Sequence, residues 1–453
     1  MNNLQAGFCR MNINPMLGIG VAGYFVPRYA SAILDDLELS VLALKSGDDL
    51  AILISADNEG FGQCVVNRYR AAIAEKNGIR PEQIFLHATH THTGPLTHHT
   101  EMFEVDDAPI EKYCAFLEDR MVDAVHLAIA DLKQARMGFI VGWAPERVAY
   151  IRRYKMKDGS TWTCPPINDP NIDHPIGTLD QRVNVLRFDR DGGDTIVLYN
   201  YGLHADTINS DMISPDWPGW TRKTFETAVP GTKCIFFNGA EGDVGSTHVY
   251  PCGGDMNDTE ISFDNEMKSP GMCRFVGRAL AGTLLQVYDK VEYVDVESLS
   301  ILHRIVTVPS NMPTAKEMPR AREYYDLHVA GRDCDIPYTA MELTTVVAEA
   351  QRMVRLEKGP DHFDLEMTGV RIGPVAMIGV PGEPFTDIGV QIKDTEGYAA
   401  ILPCCLVNGN EGYFPMHDAF DEGGYEARSS NYKSGVAEAL IDGGKKLLGS
   451  LSE

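Results

Sequence analysis

The chain has 453 residues, with 40 Lys and Arg against 64 Asp and Glu, a formal charge of −24 and an isoelectric point near 4.9. A surface this acidic repels phosphate backbones and anionic bilayers. Nucleic acid and stable membrane docking are therefore excluded as expected partners; a small-molecule substrate is expected, and a homo-oligomer is left open. Hydrophobic content of 44% with 23% charged residues is that of a folded chain, long enough for one large core, not a disordered one.

The opening MNNLQAGFCRMNINPMLG has neither a basic segment nor an apolar run of signal-peptide length, and no apolar run approaches the ~18 residues of a membrane helix. The expected location is the cytoplasm. Ten cysteines are scattered without any CxxC, so free thiols are expected, several of them packed in the core.

Strands and helices alternate along the chain, which predicts an α/β protein: a mixed β-sheet core flanked by helices, with functional groups at the carboxyl ends of strands. No linker is evident, and residues 1–453 are expected to form one catalytic domain. Near-continuous apolar runs predict buried strands, and each ends in a polar group followed by an irregular loop. Strand 50–56 ends at Asp57, and strand 83–88 ends in ATHTHTGP with His90 and His92. Helix 108–134 follows, with Ile110, Tyr113, Leu117, Met121 and Ala124 on one face. Strand 195–203 ends at His204, and strand 233–238 ends at Glu241 and Asp243. Helix 270–290 precedes a half-exposed strand over 294–308. The charge-rich stretch 311–360 reads as a helical lid or subdomain, with one helix over 340–357. Strand 374–380 ends at Glu383, and helix 430–449 closes the chain.

The His90-x-His92 spacing puts two imidazoles on one face of an extended chain, where they can share a metal or divide ligation and proton transfer. His98 and His99 are nearby alternatives, expected to face solvent. His204 and Glu383 complete a set of two imidazoles and a carboxylate, the composition of a catalytic metal site with an open position. Trp217 and Trp220, next to the His204 loop, suggest an aromatic-lined pocket. The acidic stretch 255–267 does not fit a calcium loop and reads as solvated.

These residues carry a resemblance to the neutral, non-lysosomal ceramidases and their shorter bacterial relatives. It runs through AGFCRMNINPMLGIGVAGY (6–24), ATHTHTGP (88–95), AYIRRYKMKDG (149–159), GLHADTINSDMISPDWPGW (202–220), NGAEGDVGS (238–246), PGEPFT (381–386) and EGYFPMHDAFDEGGYEARSS (411–430). The resemblance implies a Zn²⁺ held by His90, His204 and Glu383, with Tyr413 as a weaker fourth ligand. It also implies His92 beside the metal, hydrogen-bonded to the scissile group or its bound water, and Arg152 and Tyr425 at the oxyanion of an attacked amide or ester; His92 could then carry the proton to the leaving amine. Asp57, Asp216 and Asp243 are expected either to orient the imidazoles or to cap helices after strand ends. Mn²⁺ and Fe²⁺ suit the same donors.

Two departures qualify the resemblance. Gly245 stands where the family carries a serine, with Ser246 one residue later. The family's C-terminal β-sandwich domain is not expected in this chain. The readings weighed beside amide hydrolysis are a hydrolase, lyase or isomerase acting on a small polar, lactone or sugar-derived metabolite, and an inactive binding protein on the same scaffold.

Overall fold

The computed structural model describes residues 3–453 and is a mixed α/β fold. Its largest sheet has nine strands: β1 (Leu4–Asn12), β2 (Glu38–Ser46), β3 (Asp49–Ala56), β4 (Ile84–Ala88), β5 (Lys133–Trp143), β6 (Arg182–Arg190), β7 (Thr195–Tyr201), β8 (Thr232–Asn238) and the short β9 (Glu292–Val294). The order is β8-β7-β6-β5-β1-β2-β3-β4, with β9 also on β5. β3/β4 and β7/β8 are parallel, and the other pairs are antiparallel. A second sheet orders β10 (Leu299–Pro309), β11 (His362–Ile372), β12 (Val375–Gly379) and β13 (Ala400–Cys404) in sequence.

Side-chain alternation explains how these sheets stack. On β2, Val41 and Ala43 face one way, and Leu42 and Leu44 the other. The first face packs under α1 (Gln63–Asn77) and α2 (Asp107–Ala130). The β6–β8 end packs its outer residues Val185, Val197 and Phe236 under α3 (Asp216–Ala228) and α4 (Pro270–Val287). The remaining helices are α5 (Met318–Val329), α6 (Ala340–Leu356), α7 (Thr386–Lys393), α8 (His417–Glu422), α9 (Tyr425–Ser429) and α10 (Val436–Ser452). Of these, α7 and α10 cover the second sheet through Ile388, Ile392, Leu440 and Leu448.

The inner faces of the two sheets meet in one central cluster that includes Leu42, Leu53, Phe85, Leu198, Phe237, Val370, Met377 and Leu402. That convergence brings the carboxyl ends of β4, β7, β8 and β12 together. Close approach is needed there: a Cβ on Gly202 would stand 2.3 Å from the Ala240 carbonyl oxygen.

The expected buried strands match β3, β4, β7, β8 and β12 within two residues. The expected helix over 430–449 begins only at Val436, because Tyr432 is buried and bonds the Glu411 carbonyl through its hydroxyl. Within 311–360, α5 and α6 pack on each other through Met318, Ala321, Ala350 and Met353. All ten cysteines are free, six of them buried. No helix among the described residues is long and apolar enough to cross a membrane.

Candidate metal centre

The THTH segment leaves the end of β4 in a turn, not in the extended form its spacing suggested. His90 has φ 71°, a left-handed conformation rarely held by a non-glycine residue outside a constrained site. The turn is fixed by the His90 and Thr91 N–H groups, which both donate to the Asn58 carbonyl. The two imidazoles still meet, with ring centroids 4.8 Å apart and Nε2 atoms 3.2 Å apart.

His204 follows β7, and its ring centroid lies 4.9 Å from that of His90. Glu383 follows β12 in a two-residue strand, Glu383–Pro384, paired in parallel with Tyr413–Phe414. Its Oε2 stands 3.3 Å from His90 Nε2 and 3.1 Å from His204 Nε2. Glu241, after β8, completes a buried group of four in which one donor atom from each of His90, His204, Glu241 and Glu383 lies within 4.8 Å of the others.

The imidazole protons decide what these groups can hold. His90 Nδ1 faces the Glu59 carbonyl oxygen at 2.8 Å. His204 Nδ1 faces the Glu241 and Val244 carbonyl oxygens, both at 3.0 Å. The His90 Nδ1–H is therefore donated to the backbone, the His204 Nδ1 also pairs with the Glu241 carboxylate, and each Nε2 is turned toward Glu383. Glu383 Oε2 is buried without a hydrogen-bond partner. Acceptors aimed at acceptors in a dry site repel unless a cation lies among them. The 3.1–3.3 Å separations match the roughly 3.3 Å between ligands of a tetrahedral ion with bonds of about 2.0 Å. The donor set fits a divalent cation.

Without one, protons take its place. Burial opposes charge on His90, but the Glu383, Glu241 and Glu59 carboxylates override it and raise His90 to about 10. Burial and Arg152 oppose charge on His204; Glu241 and Glu383 outweigh them. Burial works against the Glu383 carboxylate too, yet His90 and His204 hold it well below the usual range. His92 behaves in the opposite way. Burial, with His90, His204 and Lys268 beside it, keeps it neutral.

Arg152 enters from the other side. Its Nε donates to Glu426 at 2.7 Å and its Nη2 to the Gly242 carbonyl at 2.9 Å. Its Nη1 is left 3.2 Å from His204 Nε2. The Tyr413 hydroxyl lies 3.5 Å from the same nitrogen, and the Tyr425 ring packs on Tyr413 at 5.5 Å. Burial, reinforced by Glu383, raises both phenols, so each remains a donor.

The three expected supporting carboxylates are spent elsewhere. Both Asp57 oxygens take Arg222 of α3, at 3.1 and 2.6 Å. Asp216 accepts from Thr207 and from the Trp217 N–H at the start of α3. Asp243 accepts from the Thr386 N–H and hydroxyl at the start of α7. Among the described residues none of the three bonds an imidazole; backbone carbonyls do that work, joined at His204 Nδ1 by the Glu241 carboxylate.

Trp217 is fully buried against Phe236 and donates to the His204 carbonyl, and Trp220 bonds Asp35. Neither lines the cleft over the metal centre; Tyr24, Phe25, Phe103 and Phe363 do. His98 is exposed at the cleft, and His99, also exposed, pairs with Asp107. Gly245 pairs with Tyr150 in a short strand, and Ser246 is not among the residues that line the cleft.

Residues missed from sequence cluster behind His92. Its Nδ1 lies 3.6 Å from Asp206 Oδ2. Asp206 is held by the Tyr24 hydroxyl and by buried Lys268, which also pairs with Glu266 at 2.6 Å. The end of the acidic stretch is therefore buried, not solvated: Asp264 is 5% exposed and Glu266 9%. Nothing in the spacing marked this. Glu241, by contrast, carried the strand-end signal and was passed over for Asp243.

The two-sheet architecture, with a His/Glu cluster at converging strand ends, is the neutral ceramidase fold. Neutral ceramidase from Pseudomonas aeruginosa superposes with a TM-score of 0.71 at 17% identity, over 99% of this chain and 75% of that one. A ceramidase complexed with C2 superposes with the same score and identity, over 76% of its chain. No family model matches the sequence, and neither does any curated protein.

Proposed function

We propose that the protein is a zinc-dependent hydrolase that attacks an amide, or an ester, carbonyl. The observation that carries this reading is the pair of Nε2 atoms on His90 and His204, both turned toward the unpartnered Glu383 Oε2. These three residues would hold the ion, with the Tyr413 hydroxyl at its edge and Glu241 behind His204, on its Nδ1. When bound, the ion supplies a water ionised near pH 7 and a polarised carbonyl.

The chain's own groups supply the rest. Two of the three Arg152 nitrogens are fixed by Glu426 and Gly242, and the third, Nη1, stands 3.2 Å from His204 Nε2, placed to donate to the oxygen of the attacked carbonyl once that nitrogen holds the ion. The Tyr425 hydroxyl, kept protonated by burial, is a second donor at the cleft. Donors aimed at developing charge are worth roughly 3–4 kcal/mol each. His92 is neutral with its Nε2 toward the centre. It can take the proton lost by the attacking water and return it to the leaving nitrogen. The fold likeness to ceramidases supports amide over ester.

The test is metal content by elemental analysis, followed by an amide and ester screen in ¹⁸O-labelled water. About one zinc per chain and one labelled oxygen in the acid product are expected. Turnover without label incorporation would point to lyase or isomerase chemistry and overturn the reading.

A further inference from the structure

The cleft over the metal centre encloses about 490 Å³, the size of a small-molecule site. One wall is apolar, with Phe25, Leu96, Met102 and Phe103. The last two turns of α6 place Arg352 and Arg355 on the same cleft.

In a chain with a large excess of acids, arginines here are generally paired: Arg152 with Glu426, Arg153 with Glu422, Arg428 with Glu349. Arg352 and Arg355 are not. Arg352 is 5% exposed. Its Nε donates to the Arg428 carbonyl and its Nη1 to the Asn311 carbonyl. Among the described residues its Nη2 has no partner. Its nearest acids are engaged: Glu349 by Arg428, and Glu317 by the Thr314 N–H and hydroxyl. Arg355 donates to the Asn431 side chain, and no acid lies within ion-pair distance of it. Glu411 is close enough to feel Arg355, but burial pushes its carboxyl up instead.

A buried guanidinium without a counter-ion is costly. Arg352 is such a group, and Arg355, exposed and one turn further along the helix, adds a second guanidinium without an acid partner on the same cleft; together they form a receptor for an anion. Each has donor capacity left over, which suits the two oxygens of a carboxylate. Glu59 and Glu411 on the same cleft disfavour a more highly charged phosphate.

We propose that the substrate carries a carboxylate that docks on Arg352 and Arg355 while its apolar acyl body lies along Phe25, Leu96 and Phe103 and its amide reaches the metal centre. This makes the substrate class an N-acyl amino acid, not a neutral lipid amide. The assignment of the amide rests on the hydrolase reading; the anion site does not.

The experiment compares acetyl-, butanoyl- and octanoyl-glycine with the corresponding neutral acyl-ethanolamines, by calorimetric binding and by hydrolysis, on wild-type protein, Arg355→Gln and Arg352→Lys. Arg355 is exposed, so Arg355→Gln tests the site without threatening the fold. At least tenfold tighter binding of one or more glycine conjugates is expected, with the preference falling at least tenfold in Arg355→Gln while ethanolamide binding is unchanged. Equal binding of acid and neutral probes, no binding of any glycine conjugate at millimolar concentration, or a preference undiminished in Arg355→Gln would each overturn the proposal. Retained carboxylate preference with no hydrolysis of any probe would support the anion site and overturn the hydrolase reading alone.

Discussion

Asp243 caps a helix 143 residues further along the chain: its Oδ1 accepts from the Thr386 N–H at 2.8 Å and from the Thr386 hydroxyl at 2.9 Å. Thr386 opens α7 three residues after Glu383, so a carboxylate from one strand end fixes the segment that presents the Glu383 carboxylate of another. Burial pushes Asp243 up to about 6, against the two Thr386 hydrogen bonds. Asp243→Ala is expected to loosen Glu383 and weaken zinc binding by about 10- to 100-fold. Competition against a chelator of known affinity measures this; unchanged affinity would confine Asp243 to helix capping.

Glu383→Gln and His90→Ala remove donors from the cluster itself. Each is expected to lower zinc content to near zero and abolish turnover, with the protein remaining folded by circular dichroism. Stoichiometric zinc in either variant would place the ion elsewhere.

The metal-free protein has a signed pH dependence. His90 sits at about 10 when folded, against an ordinary 6.5. A raised pKa contributes stability that is fully present below about 6.5 and is lost as pH rises through about 10. With chelator present, the melting temperature is expected to fall between pH 7 and pH 10. With zinc bound, His90 is already deprotonated and the fall is expected to vanish; acidification then releases the metal, because protons compete for the same nitrogens. Calorimetry at three pH values, with and without chelator, checks both signs.

Gly23 has φ 101°, and a Cβ there would stand 2.7 Å from His92 Cβ and Cγ. Gly23→Ala is expected to push the His92 ring out of place while His90, His204 and Glu383 keep the metal. Full zinc occupancy with activity down about 100-fold is the expected result, since a displacement of about 1 Å can cost that much. Normal activity in this variant would remove His92 from proton transfer.

The Asp57–Arg222 pair is buried, with side-chain exposures of 1% and 6%. Asp57→Ala strands a guanidinium whose remaining acid is Glu38, at 3.2 Å. A loss of about 3 kcal/mol in denaturant unfolding is expected, with zinc content unchanged. A drop in zinc affinity instead would restore Asp57 to the metal site.

What the sequence made legible was the identity of the strand ends. Continuous apolar runs mark β3, β4, β7, β8 and β12 because both faces of those strands are buried, and the polar residue after each is therefore conspicuous. Strands β1, β5, β6 and β11 escaped that filter: their half-buried patterns include charged residues such as Arg10 and Glu366, whose partners lie far away in the chain. Pairing order was not legible for the same reason, since nothing local fixes which strand lies beside which. His90, His204 and Glu383 were legible by position, whereas the roles of Asp57, Asp216 and Asp243 were not. A carboxylate after a strand reads alike whether it serves an imidazole, an arginine or a helix N-terminus. The charged nest of Asp206, Glu266 and Lys268 was hidden by composition, because an acidic stretch is ordinarily solvated.

The cluster draws His90, His204, Glu241 and Glu383 from four separate strand ends on two different sheets. An ion bound there would act as a rivet through the molecule, closing loops that span most of the polypeptide in a single contact. Its removal would then register far from the cleft, as faster amide exchange and easier proteolysis along the seam where the two sheets meet, even while each sheet keeps its own strands paired.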